Sequence, residues 1–164
     1  MANNINDPVL NDTKEDKMLS QSEAEGLIAV RKVFIERTPL TVNRPFNEQR
    51  QLRSDREPYE TFYLNITQTA IEFGRYSTVT RFFQIPLIRA CVNPDYVHPN
   101  PDGTEVKGSH IHIYKEGFLD RFAYPLSERG FTETAMVPFI RAFLTYCNIE
   151  NIDINEQISL VDGL

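Results

Sequence analysis

Two rhythms of hydrophobic and polar residues run along this chain. Ala24, Leu27, Ile28, Arg31 and Ile35 follow at helical intervals. Ser20 precedes them with Glu23 three residues on, the capping-box spacing. The pattern predicts a helix over 20–35, ended by Thr38-Pro39. Val137, Ile140, Phe143, Leu144 and Cys147 predict a second helix over 134–147, with Pro138 confined to its first turn. Between them the period falls to two. Phe62, Leu64 and Ile66 alternate with Tyr63, Asn65 and Thr67, a half-buried strand over 60–67. Residues 71–73 form a second short strand. Residues 78–91 form a longer one, with Arg81, Phe83, Ile85, Leu87 and Arg89 on one parity. Pro86 within it implies an edge position or a bulge.

The remaining segments carry weaker signals. Residues 40–58 hold Arg44, Glu48, Arg50, Arg53, Asp55 and Arg56 and read as short edge strands and a loop. Residues 94–108 read as a turn-rich loop. A strand over 109–115 turns at Glu116-Gly117 and pairs back through 121–124. The segment from Glu150 adds an extended stretch. The fold class is α+β: a curved antiparallel sheet flanked by an N-terminal and a C-terminal helix. It occupies 19–164 as a single domain. Residues 1–18, polar and acidic (Asp7, Asp12, Glu15, Asp16), read as a disordered tail and not as a secretory signal.

Composition narrows the functional classes. The 164 residues suit one domain, and 41% apolar content supplies one core. No apolar run approaches the roughly 18 residues that span a bilayer, so no membrane association is expected and a cytoplasmic location is. The net charge of −6 argues against broad nucleic-acid binding, which needs an excess of cations. It leaves room for a small basic pocket or a basic protein partner. Cys91 and Cys147 form no framework or metal pair by spacing, and both read as small buried hydrophobes in a reducing compartment. No phosphate-binding glycine loop and no Cys-x-x-Cys is present, and no cofactor is expected.

The candidate chemistry lies in one segment. His98, His110 and His112 are the only histidines, and all fall within 98–123. On a strand, His110, His112 and Tyr114 share one face, and Ile111 and Ile113 the other. Side chains two apart lie roughly 6.5–7 Å from each other. The leading reading is metal-independent cleavage of RNA, with His110 and His112 as acid and base, His98 auxiliary and Tyr114 a hydrogen-bond donor. Cations must hold the phosphate. Arg89, which ends an apolar run, is the first candidate; Arg81, Lys115 and Arg121 are the others. A second reading is a noncatalytic phage-encoded inhibitor or interaction protein that binds a host protein. A third is metal binding. His-x-His, followed by Glu116 and preceded by Gly103, nearly reproduces the first cupin motif. The spacing from Gly103 is one residue too long, Ala123 replaces a glycine, and no histidine follows His112 to complete the ligand set. Beside all three stands a purely structural reading, in which the imidazoles are hydrogen-bonded groups packed beside Tyr114.

A family resemblance rests on longer stretches. Asn100-Pro101-Asp102-Gly103-x-Glu105-Val106, then His110-Ile111-His112-Ile113-Tyr114-Lys115-Glu116-Gly117-Phe118, then Asp120-Arg121-Phe122-Ala123-x-Pro125-Leu126 resemble a group of uncharacterised bacterial and prophage proteins. The likeness runs from Leu19 through Phe143-Leu144-Thr145-Tyr146-Cys147-Asn148-Ile149. Where that group reads arginine, leucine, aspartate, this chain has Arg89-Ala90-Cys91; where it has tryptophan, this chain has Phe122. A looser similarity, at the level of motifs, is to TumE-like ribonuclease toxins. It implies a toxin activity on RNA and an antitoxin partner.

Overall fold

A computed structural model describes residues 19–43, 45–76, 84–132 and 135–157. The tail at 1–18 and Arg81 lie outside the described residues.

The first helix, α1, spans Gln21–Ala29. Ser20 caps it, its Oγ accepting the Glu23 N–H at 3.1 Å. The helix is shorter than its periodicity predicts because Lys32-Val33-Phe34 pairs as strand β1 (Lys32–Phe34). All three residues are buried there. Lys32 enforces the change. Its Nζ donates to the carbonyls of Ile28, Val30 and Cys147, each at 2.7 Å. It thereby satisfies chain ends of both helices. Local helical propensity yields to these tertiary partners.

Strands β2 (Leu40–Val42), β3 (Asn47–Ser54), β4 (Thr61–Thr67), β5 (Ala70–Tyr76) and β6 (Gln84–Cys91) follow. Next come a small hairpin of β7 (Val97–Pro99) and β8 (Glu105–Lys107), then β9 (His110–Ile113) and β10 (Ala123–Pro125). A 3-10 turn at Leu126–Arg129, helix α2 (Met136–Tyr146) and β11 (Ile154–Glu156) complete the order. Pro138 falls in the first turn of α2, as expected. The main sheet is open and antiparallel, in the order β1-β3-β4-β5-β6-β9-β10. The β11 strand pairs in parallel with β2. The α+β class, an antiparallel sheet with one N-terminal and one C-terminal helix, agrees with the sequence.

Two strand expectations change. β3 is eight residues long and lies inside the sheet, not at its edge. It escapes a hydrophobicity reading because Asn47, Gln49, Gln51 and Arg53 are exposed while only Leu52 and Ser54 are buried. β6 is also interior, between β5 and β9. Pro86 marks a bulge there: Phe73 pairs with Ile88, and Gly74 with Pro86, leaving Leu87 as the extra residue. Leu87 and Ile88 therefore both enter the core. The shared parity predicted for Ile85, Leu87 and Arg89 breaks at that point.

One face of the sheet carries Leu52, Phe62, Leu64, Ile66, Phe73, Ile88 and Ile111 and packs against Ile140, Phe143 and Leu144 of α2. These side chains are removed from water almost completely, and each contributes about 1.5–3 kcal/mol of burial free energy. The opposite face carries Asn65, Glu72, Arg89, Cys91, His110 and His112. Its polarity and its loop cover make it the face for a site.

Candidate functional site

The β6–β9 ladder builds the site floor. Arg89 pairs with His112, and Cys91 with His110. Directly paired antiparallel residues project to the same side. The four side chains thus form a square. On the β5 side, Glu72 pairs with Arg89 and Ala70 with Cys91.

The wall comes from the predicted loop, which contains the β7–β8 hairpin. Asn100 clips that hairpin to the sheet. Its Nδ2 donates to the Ala123 carbonyl at 3.0 Å, and its Oδ1 accepts the Ala123 N–H at 2.8 Å. Gly103 closes the turn at φ 88°, a left-handed conformation that glycine adopts without a Cβ clash. The Asn-Pro-Asp-Gly signature is thus a device for folding the hairpin over the histidine strand. It brings His98 to within 4.7 Å of His112, ring centre to ring centre. Tyr96 stacks on His110 at 5.3 Å.

These residues enclose a cleft of about 360 Å³, lined chiefly by Arg89, Cys91, Tyr96, His98, His110 and His112. The volume suits a small ligand.

Every imidazole is oriented by a main-chain carbonyl. His110 Nδ1 lies 2.9 Å from the Gly108 carbonyl, and His112 Nδ1 lies 2.8 Å from that of Asp120. His98 Nε2 lies 2.9 Å from the Arg121 carbonyl. A carbonyl only accepts, so each of these nitrogens carries the proton. In the neutral rings of His110 and His112 the other nitrogen keeps its lone pair. Arg89 lies 3.4 Å from the free Nε2 of His112. Burial, then the Arg89 guanidinium and the neighbouring histidines, hold the His112 pKa down to about 3. Burial also holds His110 below the ordinary imidazole value, with His98 and Arg89 acting in the same direction. Both rings are neutral at pH 7.

Cys91 is half-buried in the cleft, whereas Cys147 is wholly buried in the core. The expectation that both are buried thus holds for Cys147 and is corrected for Cys91, which is half-buried. One ligand atom each from Cys91, His110 and His112 lie within 4.8 Å of one another. Burial raises the Cys91 pKa, opposed by Arg89. A metal would displace that proton on binding.

Of the sequence candidates, His98, His110, His112 and Arg89 meet in the cleft. Tyr114 does not share the histidine face. β9 ends at Ile113, and the Tyr114 N–H pairs with the carbonyl of the bulged Leu87 at 2.8 Å. Its ring therefore turns into the core, where its hydroxyl donates to the Leu19 carbonyl at 2.7 Å. Lys115 and Arg121 sit on the β9–β10 turn and do not line the cleft. Lys115 lies over the Phe122 ring at 4.2 Å, and the Arg121 guanidinium over Phe118 at 5.6 Å. Aromatic rings hold both cations away from the histidines.

Sequence reasoning missed Cys91, Tyr96, Glu72 and Asp120 as site residues. Two-residue spacing from Arg89 was the available signal for Cys91. Glu72 and Asp120 flank Arg89: Asp120 Oδ2 lies 3.6 Å from its guanidinium, and Glu72 is its β5 register partner. Tyr63 donates to Glu72 at 3.3 Å.

No helix among the described residues is long and apolar enough to cross a membrane. No curated protein and no solved structure matches the chain. The family model described as a family of unknown function, DUF6978, matches residues 19–149. The match covers the helix α1, the whole main sheet and the cleft, and the chain belongs to that family.

Proposed function

We propose that this chain is a metal-binding protein whose centre is formed by Cys91, His110 and His112. The observation that carries the reading is the orientation of the histidines. Each donates one ring N–H to a backbone carbonyl and leaves its other nitrogen as an acceptor beside a half-buried thiol, with Arg89 the one present neighbour of His112 Nε2 at 3.4 Å. Metal-bound histidines are held in this way, since the outer hydrogen bond fixes the tautomer and raises ligand basicity. Imidazole and thiolate together favour a zinc-class ion over magnesium or calcium. A tetrahedral zinc site places ligand atoms roughly 3.3–3.6 Å apart, and the present set lies within 4.8 Å of one another. Three protein ligands leave a position open toward the cleft, the arrangement of sites that act on a ligand. A reducing cytoplasm keeps such a thiol available. The reading does not depend on the cupin likeness, because this sheet is open and takes its third ligand from β6.

Cleavage of RNA by a toxin-like ribonuclease is the second reading, and Arg89 in the cleft favours it. That chemistry needs one imidazolium as the acid. Burial holds His110 and His112 toward the neutral form, so that pair supplies bases more readily than an acid. The family match does not bear on a likeness to TumE-like toxins.

The test is elemental analysis of protein expressed without an affinity tag, with RNA cleavage assayed in parallel. Stoichiometric metal that is lost in Cys91→Ser and His112→Gln supports the centre. Metal-free protein that releases cyclic-phosphate ends from RNA, unaffected by chelator, would replace it with the ribonuclease.

A further inference from the structure

We infer that the cleft takes a small oxyanion, a carboxylate or a phosphoryl group, bridging the open metal position and Arg89. This rests on the metal centre proposed above.

The first ground is the state of Arg89. A guanidinium offers five N–H donors in a rigid fork that matches two oxygens of one anion. Here it makes two long contacts, 3.6 Å to Asp120 Oδ2 and 3.4 Å to His112 Nε2. Its Nε is enclosed and has no hydrogen-bond partner among the described residues. The rest of the guanidinium is partly exposed, its side chain 39% accessible, so its terminal N–H groups are open to a ligand in the cleft.

The second ground is competition for one lone pair. His112 Nε2 is the nitrogen left free by the Asp120 carbonyl, so a metal must take it. The same lone pair is what Arg89 now faces. Metal binding breaks that contact and leaves the guanidinium directed at the cleft. A ligand that places one oxygen on the metal and another on Arg89 restores the lost bond. Glu72 and Asp120 offset part of the added positive charge.

The third ground is size and global charge. A cleft of about 360 Å³ encloses a small molecule rather than a polymer. The net charge of −6 disfavours a polyanion, and one local cation suffices for a single anionic group. Tyr96, stacked on His110 at the rim, supplies an apolar flank for the ligand's carbon part.

The experiment uses the full chain loaded with cobalt(II), whose visible bands report the coordination sphere, titrated separately with oxalate and with inorganic phosphate. Saturable band shifts are expected with at least one of them, and which one responds separates carboxylate from phosphoryl ligands. Arg89→Met is expected to take up cobalt at least as well as wild type, since the competitor for His112 is gone. It is also expected to weaken anion binding about 10–100-fold, the loss of a charge-assisted pair. Arg89→Lys, which keeps the charge without the fork, falls between. Unshifted bands with both anions, or wild-type anion affinity in Arg89→Met, would overturn the inference while leaving the metal centre intact. Loss of cobalt binding in Arg89→Met would overturn it too, by making Arg89 a support of the ligands. Absence of cobalt binding in wild type sinks the centre itself.

Discussion

Cys91 and His110 are register partners at the end of the β6–β9 ladder, and both line the same cleft. A thiol and an imidazole are thereby fixed side by side by two backbones, not by a loop. Rigid strands position ligands more tightly than loops do. Cys91→Ala removes one of the three proposed ligands and is expected to leave both strands in place. The expected loss of zinc affinity exceeds the roughly 10–100-fold that follows loss of an outer-shell partner. A competitive chelator titration measures it, and unfolding midpoints of the metal-free proteins should remain close.

His112 couples the site to acid stability. Its unfolded pKa is about 6.5, and its folded pKa lies near 3. Between these values the unfolded chain binds a proton that the folded chain refuses. The stability this neutral histidine supports is therefore complete above pH 6.5 and is lost as the pH falls toward 3. The slope approaches about 1.4 kcal/mol per pH unit from this group, and His110 adds in the same direction. Urea unfolding of metal-free protein at stepped pH should show the loss, and His112→Asn should flatten it. Parallel curves for the two proteins would count against a buried neutral His112.

Asn100 is expected to matter as a clip and not as a ligand. Asn100→Ala removes both side-chain bonds to Ala123 and loosens the hairpin that holds His98. The expected cost is about 1–3 kcal/mol of stability, from two hydrogen bonds of ordinary strength. Hydrogen exchange should rise at the β7–β8 hairpin while α2 stays protected.

Gly74 tests the packing behind the site. A Cβ there would collide with the Tyr63 ring and the Ile85 carbonyl, and the latter belongs to the neighbouring strand. Gly74→Ala should destabilise by about 1–3 kcal/mol, because the obstacle is backbone and does not swing away. Thermal unfolding checks it; a neutral result would contradict the close approach of β5 and β6.

Most of the fold is legible wherever one face of an element is buried. Phe62, Leu64 and Ile66 announce β4 by alternation, and Ser20 with Glu23 announces the start of α1. The end of α1 is not legible, because Lys32 acts through carbonyls distant in sequence, including that of Cys147. β3 is hidden by its exposed polar residues. The site is legible as far as strand parity holds. His110 and His112 follow from it; Arg89 is legible only as the end of an apolar run, and neither its face nor that of Tyr114 follows, because the bulge at Leu87 shifts the face by one residue. Cys91 shares Arg89's parity, but its identity as a ligand depends on the strand it faces. Pairing partners are set by topology, which no local pattern encodes.

X-ray absorption at the metal edge of zinc-loaded, untagged protein tests the central claim most directly. The expected shell contains one sulfur at about 2.3 Å and nitrogens at about 2.0–2.1 Å, with the sulfur absent in Cys91→Ser. A shell of oxygen and nitrogen alone in wild type, or no stoichiometric metal to measure, would contradict a centre built on Cys91, His110 and His112.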